Sequence, residues 1–239
     1  MVKVDGGTLQ MPADDGGVRS VEVGDLWFSQ TEVTWDLYDV WVYELDQSAD
    51  EDVDGVSRPS KPYIPPDRGF GHSGHPAISM SRHASVEFCR WLSEKTDRRY
   101  RLPTREEWTH AALGGAEFTP ADVDPQSVWC KANTHHKTEA VGQKEANGYG
   151  LYDMFGNVAE WVSDPSEKRP IAMGGSFMDA PEGCTPTSVK RQDSTWNMSD
   201  PQIPKSTWWL SDCGFVGIRL VCEGPIKTPR ETGEEGKDR

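Results

Sequence analysis

Apolar positions along this chain follow two different spacings in its first hundred residues and neither one for long beyond them. Val2 and Val4 alternate with Lys3, Gly6-Gly7 follows, and the run 21–28 is again rich in alternating apolar residues, so the opening segment reads as short strands joined by turns. From Thr34, a suitable N-cap, Leu37, Val40, Trp41 and Leu45 fall at helical spacing and predict a first amphipathic helix. The stretch 46–75 breaks the pattern: it is acidic, then rich in Pro and Gly, and predicts a long surface excursion. Ser81 is placed to cap a second helix with Ala84, Phe88 and Leu92 as its inward stripe. Thr104-Arg105-Glu106-Glu107 matches a capping box and opens a short third helix with Trp108, Ala111 and Ala112 on one face. Beyond Gly114 only short strands, turns and loops are indicated. Helices confined to the first half and irregular backbone with small sheets in the second make an α+β chain.

Composition adds size and solvent to this picture. A length of 239 residues without a low-complexity linker favours one domain, drawn here as 1–224, with a polar tail at 225–239. Apolar residues make up only 35% and the mean hydropathy is −0.68, but 10 Trp, 6 Tyr and 7 Phe supply the large surfaces from which a core is built. With 23 Gly and 17 Pro the chain must turn often. A formal charge of −14 argues against nucleic acid as a partner, and no apolar run approaches membrane-spanning length, so no membrane insertion is expected. The first residues do not open like a signal peptide; the expectation is a soluble protein whose compartment stays open, export with the leader already removed included. Five cysteines, Cys89, Cys130, Cys184, Cys213 and Cys222, show no C-x-x-C pair, and their odd number leaves at least one thiol free.

Several short motifs carry no chemistry in their context. The run 69–74 fits G-x-G-x-x-G, but Pro65-Pro66 before it and Pro76 after it exclude the strand and helix that dinucleotide binding needs. The acidic run 50–55 opens like a calcium loop, yet Lys61 stands where a bidentate Glu belongs. His72 with His75, or His135 with His136, lacks a third ligand, so surface histidines are the better reading. Asn197-Met198-Ser199 is a glycosylation sequon whose meaning depends on the compartment.

Four longer motifs occur in order: YRLPTREEW at 100–108, NGYGLYDMFGNVAEW at 147–161, MGGSF at 173–177 and GIRL at 217–220. Together with the opening 2–8 and Glu32-Val33-Thr34, they resemble the sulfatase-modifying, formylglycine-generating-enzyme family over nearly the whole chain. The resemblance implies a C-type-lectin-like fold of the formylglycine-generating type, with little regular secondary structure and often steadied by calcium. On the family's motif the calcium-contacting positions are Asp153, Gly156, Val158 and Glu160, where two carboxylates flank turn-forming Gly156 and Asn157 and can form an oxygen cage with backbone carbonyls. The competing structural reading has Glu160 capping backbone amides and Asp153 in an Asx-turn. A second family calcium site begins at positions matched by Asn133 and Thr134, but the segment holding its later ligands is shortened.

The family's oxidases hold copper(I) with two cysteines that have four residues between them, shortly after the Gly-Gly-Ser-aromatic motif, and bind a substrate cysteine there. Counted from Gly174, Asp179 takes the first cysteine position and Cys184 the second, so one soft ligand has become a hard one. Counting back from Lys190-Arg191 removes even Cys184 from the match. Cys213 is a candidate for the missing sulfur or for a disulfide with Cys184. Three readings follow. In the first, the domain is calcium-stabilised and not an oxidase; it binds a peptide, protein or glycan in a groove edged by 179–209, with Trp196, Trp208 and Trp209 as core or as groove lining. In the second, it is an oxidase with altered ligands in which Cys184, with Ser176 or Cys213, handles copper and oxygen. The third is a diversified binding protein of the same fold.

Overall fold

The computed structural model describes residues 1–12, 17–47, 58, 59, 62, 64–116 and 124–224. The chain opens with β1 (Val2–Val4), β2 (Gly7–Pro12), β3 (Val18–Val23) and β4 (Leu26–Phe28). Three helices follow, α1 (Trp35–Val42), α2 (Arg82–Thr96) and α3 (Arg105–Leu113), with β5 (Arg99–Arg101) between the last two. The second half holds β6 (Ala159–Val162), β7 (Ile171–Met173), β8 (Val189–Arg191), β9 (Val216–Gly217) and β10 (Val221–Glu223), plus two single 3-10 turns. The α+β expectation is met.

The capping chemistry of α2 and α3 is the one their sequences specify. Ser81 Oγ accepts from the Ala84 amide at 3.0 Å, and the helix stops where Asp97 takes a left-handed conformation with φ 52°. Thr104 and Glu107 form the full capping box, and Gly114, φ 62°, ends α3. A side chain at Gly114 would sit 2.7 Å from the Gly148 amide, so this position needs glycine for its conformation and for its neighbour.

For α1 the inward stripe differs from the expected one. Thr34 is the N-cap residue but its side chain makes no capping bond, and the buried face is Trp35, Tyr38, Trp41 and Val42. Leu37 is exposed, and Leu45 lies beyond the helix end, also exposed. The reason is bulk. Trp35, Tyr38 and Trp41 bring far more apolar area to the core than two leucines, and they interlock edge-on, with ring centroids 6.0 Å and 5.4 Å apart for successive pairs. Tyr38 and Trp41 also meet Phe88 of α2.

Two sheets bracket this core. One has the order β1-β4-β10-β5, so the first and last described strands share a sheet; the other has the order β8-β7-β6-β9. A separate hairpin, β2 with β3, was not foreseen beyond the Val21 strand. In the second sheet β6 pairs antiparallel with β7 and parallel with β9, which sets Glu160 opposite Gly217. Every residue of β6 is buried, and it sits at the centre of the molecule's polar chemistry. Of the excursion 46–75, residues 48–57 lie outside the described residues, as does the acidic run of the supposed calcium loop. Its flanks are anchored: Arg58 is buried and donates twice to Asp46, at 2.9 and 3.0 Å, and once to the Trp41 carbonyl. The tail 225–239 is also outside the described residues. Among the described residues no helix is long and apolar enough to cross a membrane.

Candidate functional site

The most concentrated buried charge is built around Arg219, two residues past β9 and fully inaccessible. Its Nε donates to both oxygens of Glu160, at 2.9 and 3.0 Å, and its Nη2 lies 2.8 Å from Oε1. Trp108 of α3 donates its indole N–H to Glu160 Oε2 at 2.6 Å. The remaining guanidinium N–H groups reach the carbonyls of Ser29 and Tyr152, at 2.9 and 2.7 Å. The arginine therefore ties β6 to the segments after β4 and before Asp153.

Two more carboxylates face this knot. Glu32 is 2% exposed; its Oε2 stands 4.0 Å from Arg219, and neither of its oxygens has a hydrogen-bond partner. Asp153, 7% exposed with φ 53°, accepts from the Gly142 amide through Oδ2 at 2.6 Å, while Oδ1 has no partner. Burial pushes all three carboxyls above their ordinary range, and Asp153 pushes Glu32 further in the same direction. For Arg219 burial works against the charge, but Glu160 and Glu32 outweigh it and raise its affinity for the proton.

Of the four positions that the resemblance assigned to calcium, Asp153 retains an oxygen without a hydrogen bond, whereas Glu160 is filled by Arg219 and Trp108. Gly156, φ 82°, packs so that a side chain would meet the Trp129 carbonyl at 2.2 Å, and Val158 is buried beside it. Asn157 bonds the backbone of Glu139 through both ends of its amide. Among the described residues no group of three or more His, Cys, Asp or Glu is arranged to hold a metal ion. At the second position, Asn133 accepts from the Cys130 amide and donates to two carbonyls, and Thr134 is buried and bonded to the Cys130 carbonyl. Both side chains are engaged in shaping their own loop.

The segment after the Gly-Gly-Ser motif is organised differently. Ser176 is buried and donates to Asp179 Oδ2 at 2.7 Å, while Lys190 of β8 binds Asp179 Oδ1 at 2.6 Å. Both oxygens of the residue at the first cysteine position are thus engaged. Cys184, at the second, is fully buried, its thiol directed to the Ser176 carbonyl at 3.8 Å. Burial first, then Asp179 and Cys130, push its thiol up to about 12, which leaves almost no thiolate at neutral pH. All five cysteines are free thiols. Cys213 packs in the main core near Leu210, with its thiol also pushed up to about 12 by burial; the sulfur that Cys184 shares a cluster with is Cys130 instead. The sequence spacing gave no hint of this, because 54 residues separate the two.

The tryptophans divide between the two roles proposed for them. Trp196 is core, packed against Trp161 and Phe215. Trp208 packs against Trp41 and His83. Trp209 meets Tyr38 on one side, and with Ile64, Pro66, Pro201 and Leu210 it walls a cavity of about 310 Å³. Asn197 and Ser211 supply polar groups at this cavity, bonded to one another through Asn197 Oδ1 at 2.9 Å. The cavity's far wall is held by Arg68, which donates to Ser79 and to the Leu210 and Ser211 carbonyls. Of the histidines, His72 bridges Asp39 of α1 at 2.6 Å and Asp67 at 2.9 Å and stacks on Trp35, while His135 and His136 are exposed.

Comparison with known proteins agrees with this architecture. The family model described as a sulfatase-modifying factor enzyme 1-like domain matches residues 1–203, and the chain belongs to that family. Among curated relatives, the formylglycine-generating enzyme of Mycobacterium tuberculosis is 35% identical over 154 residues, 47% of this chain and 49% of that protein. The enzyme of the same name from Mus musculus is 32% identical over 148 residues, 47% of this chain and 38% of that one. The matched part thus spans half or less of these relatives. Among solved structures, Treponema denticola variable protein 1 superposes with a TM-score of 0.68 at 20% identity, covering 94% of this chain and 95% of that one. PvdO from Pseudomonas aeruginosa gives 0.66 at 20% identity, with 93% of each covered. At such identity the two structures establish the formylglycine-generating-enzyme fold alone.

Proposed function

We propose that this chain is a calcium-stabilised ligand-binding domain that does not oxidise thiols, and that its ligand is a peptide, protein or glycan seated at the cavity beside Trp209. The observation that carries this reading is the state of the 176–190 segment. Where the family's oxidases place a soft sulfur, Asp179 is fixed by Lys190 and Ser176, and the remaining Cys184 is buried and protonated. A monovalent copper ion prefers two thiolates, and a thiol that must exchange with a substrate must be reachable. Neither condition is met by Cys184 with Ser176 and Asp179. The cavity, in contrast, combines an apolar wall with a few fixed polar groups, which is the usual composition of a binding site.

The second reading is a copper- and oxygen-dependent oxidase of a protein or peptide thiol, and the proximity of Cys130 to Cys184 favours it. In that case these two thiols would hold the ion, and copper would supply oxygen chemistry. The readings part in an anaerobic copper(I) titration of reduced wild type and Cys184→Ser. No stoichiometric copper in either protein is the expected result; one tight equivalent lost in the variant would overturn the non-oxidase reading. Screening peptide and glycan arrays with wild type and Trp209→Ala then tests the binding site, with loss of the bound class in the variant expected.

A further inference from the structure

Arg58, Arg101 and Arg219, all buried or half-buried, each face a carboxylate, at 2.9, 2.6 and 2.8 Å. Arg68, half-buried in the wall of the cavity beside Trp209, faces none among the described residues. Its guanidinium meets neutral oxygens instead: Nε donates to Ser79 Oγ at 3.0 Å, and Nη2 donates to the Leu210 and Ser211 carbonyls at 3.1 and 2.6 Å. Among the described residues Nη1 makes no hydrogen bond. Burial lowers the pKa of Arg68, and Cys213 and Asp212 offset this only in part. The group stays protonated, so the cavity wall carries a positive charge left without a counter-ion, in a chain where 39 Asp and Glu outnumber 25 Lys and Arg. Asp200, the one acid among the described lining residues, is spent on its own loop: it accepts from the Gln202 and Ser206 amides, at 2.9 and 2.7 Å, and from Asn197 at 3.3 Å. The fold makes room for the arginine. Arg68 takes a left-handed conformation, φ 54°, which is unfavourable for any residue with a side chain. A side chain at Gly214 would lie 2.5 Å from Arg68 Cδ and 2.6 Å from its Nε, and the three hydrogen bonds leave the arginine nowhere to retreat.

We propose that this cavity binds the C-terminal end of a peptide, with the terminal carboxylate on Arg68 and an apolar last side chain against Trp209, Ile64, Pro66 and Pro201. This rests on the proposed function, which seats a ligand in the same cavity, and selects one class from the peptide, protein and glycan named there. Charge selects an anionic group, since the unneutralised guanidinium is the cavity's strongest unmet demand. Its planar fork suits a carboxylate, which Nη1 is free to bind. The wall selects the rest of the ligand, because the rings of Trp209, Pro66 and Pro201 with Ile64 reward an apolar body. A neutral glycan has nothing for Arg68 and would press its hydroxyls on that wall. Size selects a chain end: about 310 Å³ is at the low end of the roughly 300–1,000 Å³ range of ligand sites, room for one large residue with its carboxylate and not for a chain passing through.

The test is calorimetric titration of the full chain with three probes: acetyl-Gly-Gly-Phe with a free carboxyl end, its C-terminal amide, and the amide of acetyl-Gly-Glu-Phe, which carries its carboxylate on a side chain. Wild type should bind the free acid at least roughly tenfold more tightly than either amide, as expected for a hydrogen bond between charged groups. Arg68→Gln should bring the acid down to the level of its amide and leave the amide unchanged; a residue that merely shaped the cavity would weaken both alike. Equal affinity of wild type for the acid and its amide would overturn the role of Arg68 and leave the cavity reading standing. Binding of the Glu-bearing amide as tight as that of the acid would overturn the chain end as the source of the carboxylate. No saturable binding of any probe, with a glycan captured by wild type and lost in Trp209→Ala, would overturn the peptide class alone, and blank arrays as well would overturn the cavity reading with it. Should Arg68→Gln fail to fold, the three probes on wild type decide by themselves.

Discussion

The surroundings of Arg219 and those of Asp179 are both polar nodes at the ends of family motifs, yet they have opposite bookkeeping. Around Asp179 each charge is answered: Lys190 takes one oxygen and Ser176 the other. Around Arg219 the acids outnumber the base, and three oxygens stay unanswered. A node that is complete by itself has spent its chemistry on structure. A node that is incomplete in a dry interior calls for something from outside. The segment where the family's oxidases work is the complete one in this protein, which is why the non-oxidase reading is preferred and why the cation is sought elsewhere.

The strongest way to break this contrast is to remove the shared base. Arg219→Met should cost about 3–5 kcal/mol in urea denaturation, because it strands Glu160 without a counter-charge in the core. A loss under about 1 kcal/mol would mean that water or protons already carry the cluster. Asp179→Ala should be milder, roughly 1 kcal/mol, since the Lys190 and Asp179 side chains are each about a quarter exposed and the lysine is free to turn to solvent. A cost matching that of Arg219→Met would remove the distinction between the two nodes. The smallest effect is expected at His72, a third node on the surface. Burial lowers its pKa, but Asp39 and Asp67 outweigh this and raise it. A raised value means that the stabilisation is complete below the ordinary histidine pKa of about 6.5 and is lost as the pH climbs through the higher folded value. The Tm difference between wild type and His72→Asn should therefore shrink across neutral pH, and a difference independent of pH would show that the stacking on Trp35 acts alone.

Much of the fold was written locally. Ser81, Thr104 with Glu107, and Gly114 mark the ends of α2 and α3 because a cap involves only residues within one turn. The ordered motifs announced the family and so the architecture. The departure from the family's two-cysteine pattern at Asp179 was equally plain, since a substitution is visible wherever a motif is continuous. What the chain alone left undecided involves partners distant in sequence. The inward face of α1 depended on which side chains Phe88 and Trp209 receive, and the spacing of Leu37, Val40, Trp41 and Leu45 carries no information about those distant partners. Cys130, and not Cys213, neighbours Cys184 because a loop near 130 packs under the 176–184 turn. Glu32 sat in a recognised motif without a role. Only the tertiary structure, by bringing positions 32, 153, 160 and 219 together, shows that its carboxylate is buried, without a hydrogen bond and one of three acids facing a single arginine, because charge balance belongs to a volume of space and not to a stretch of chain.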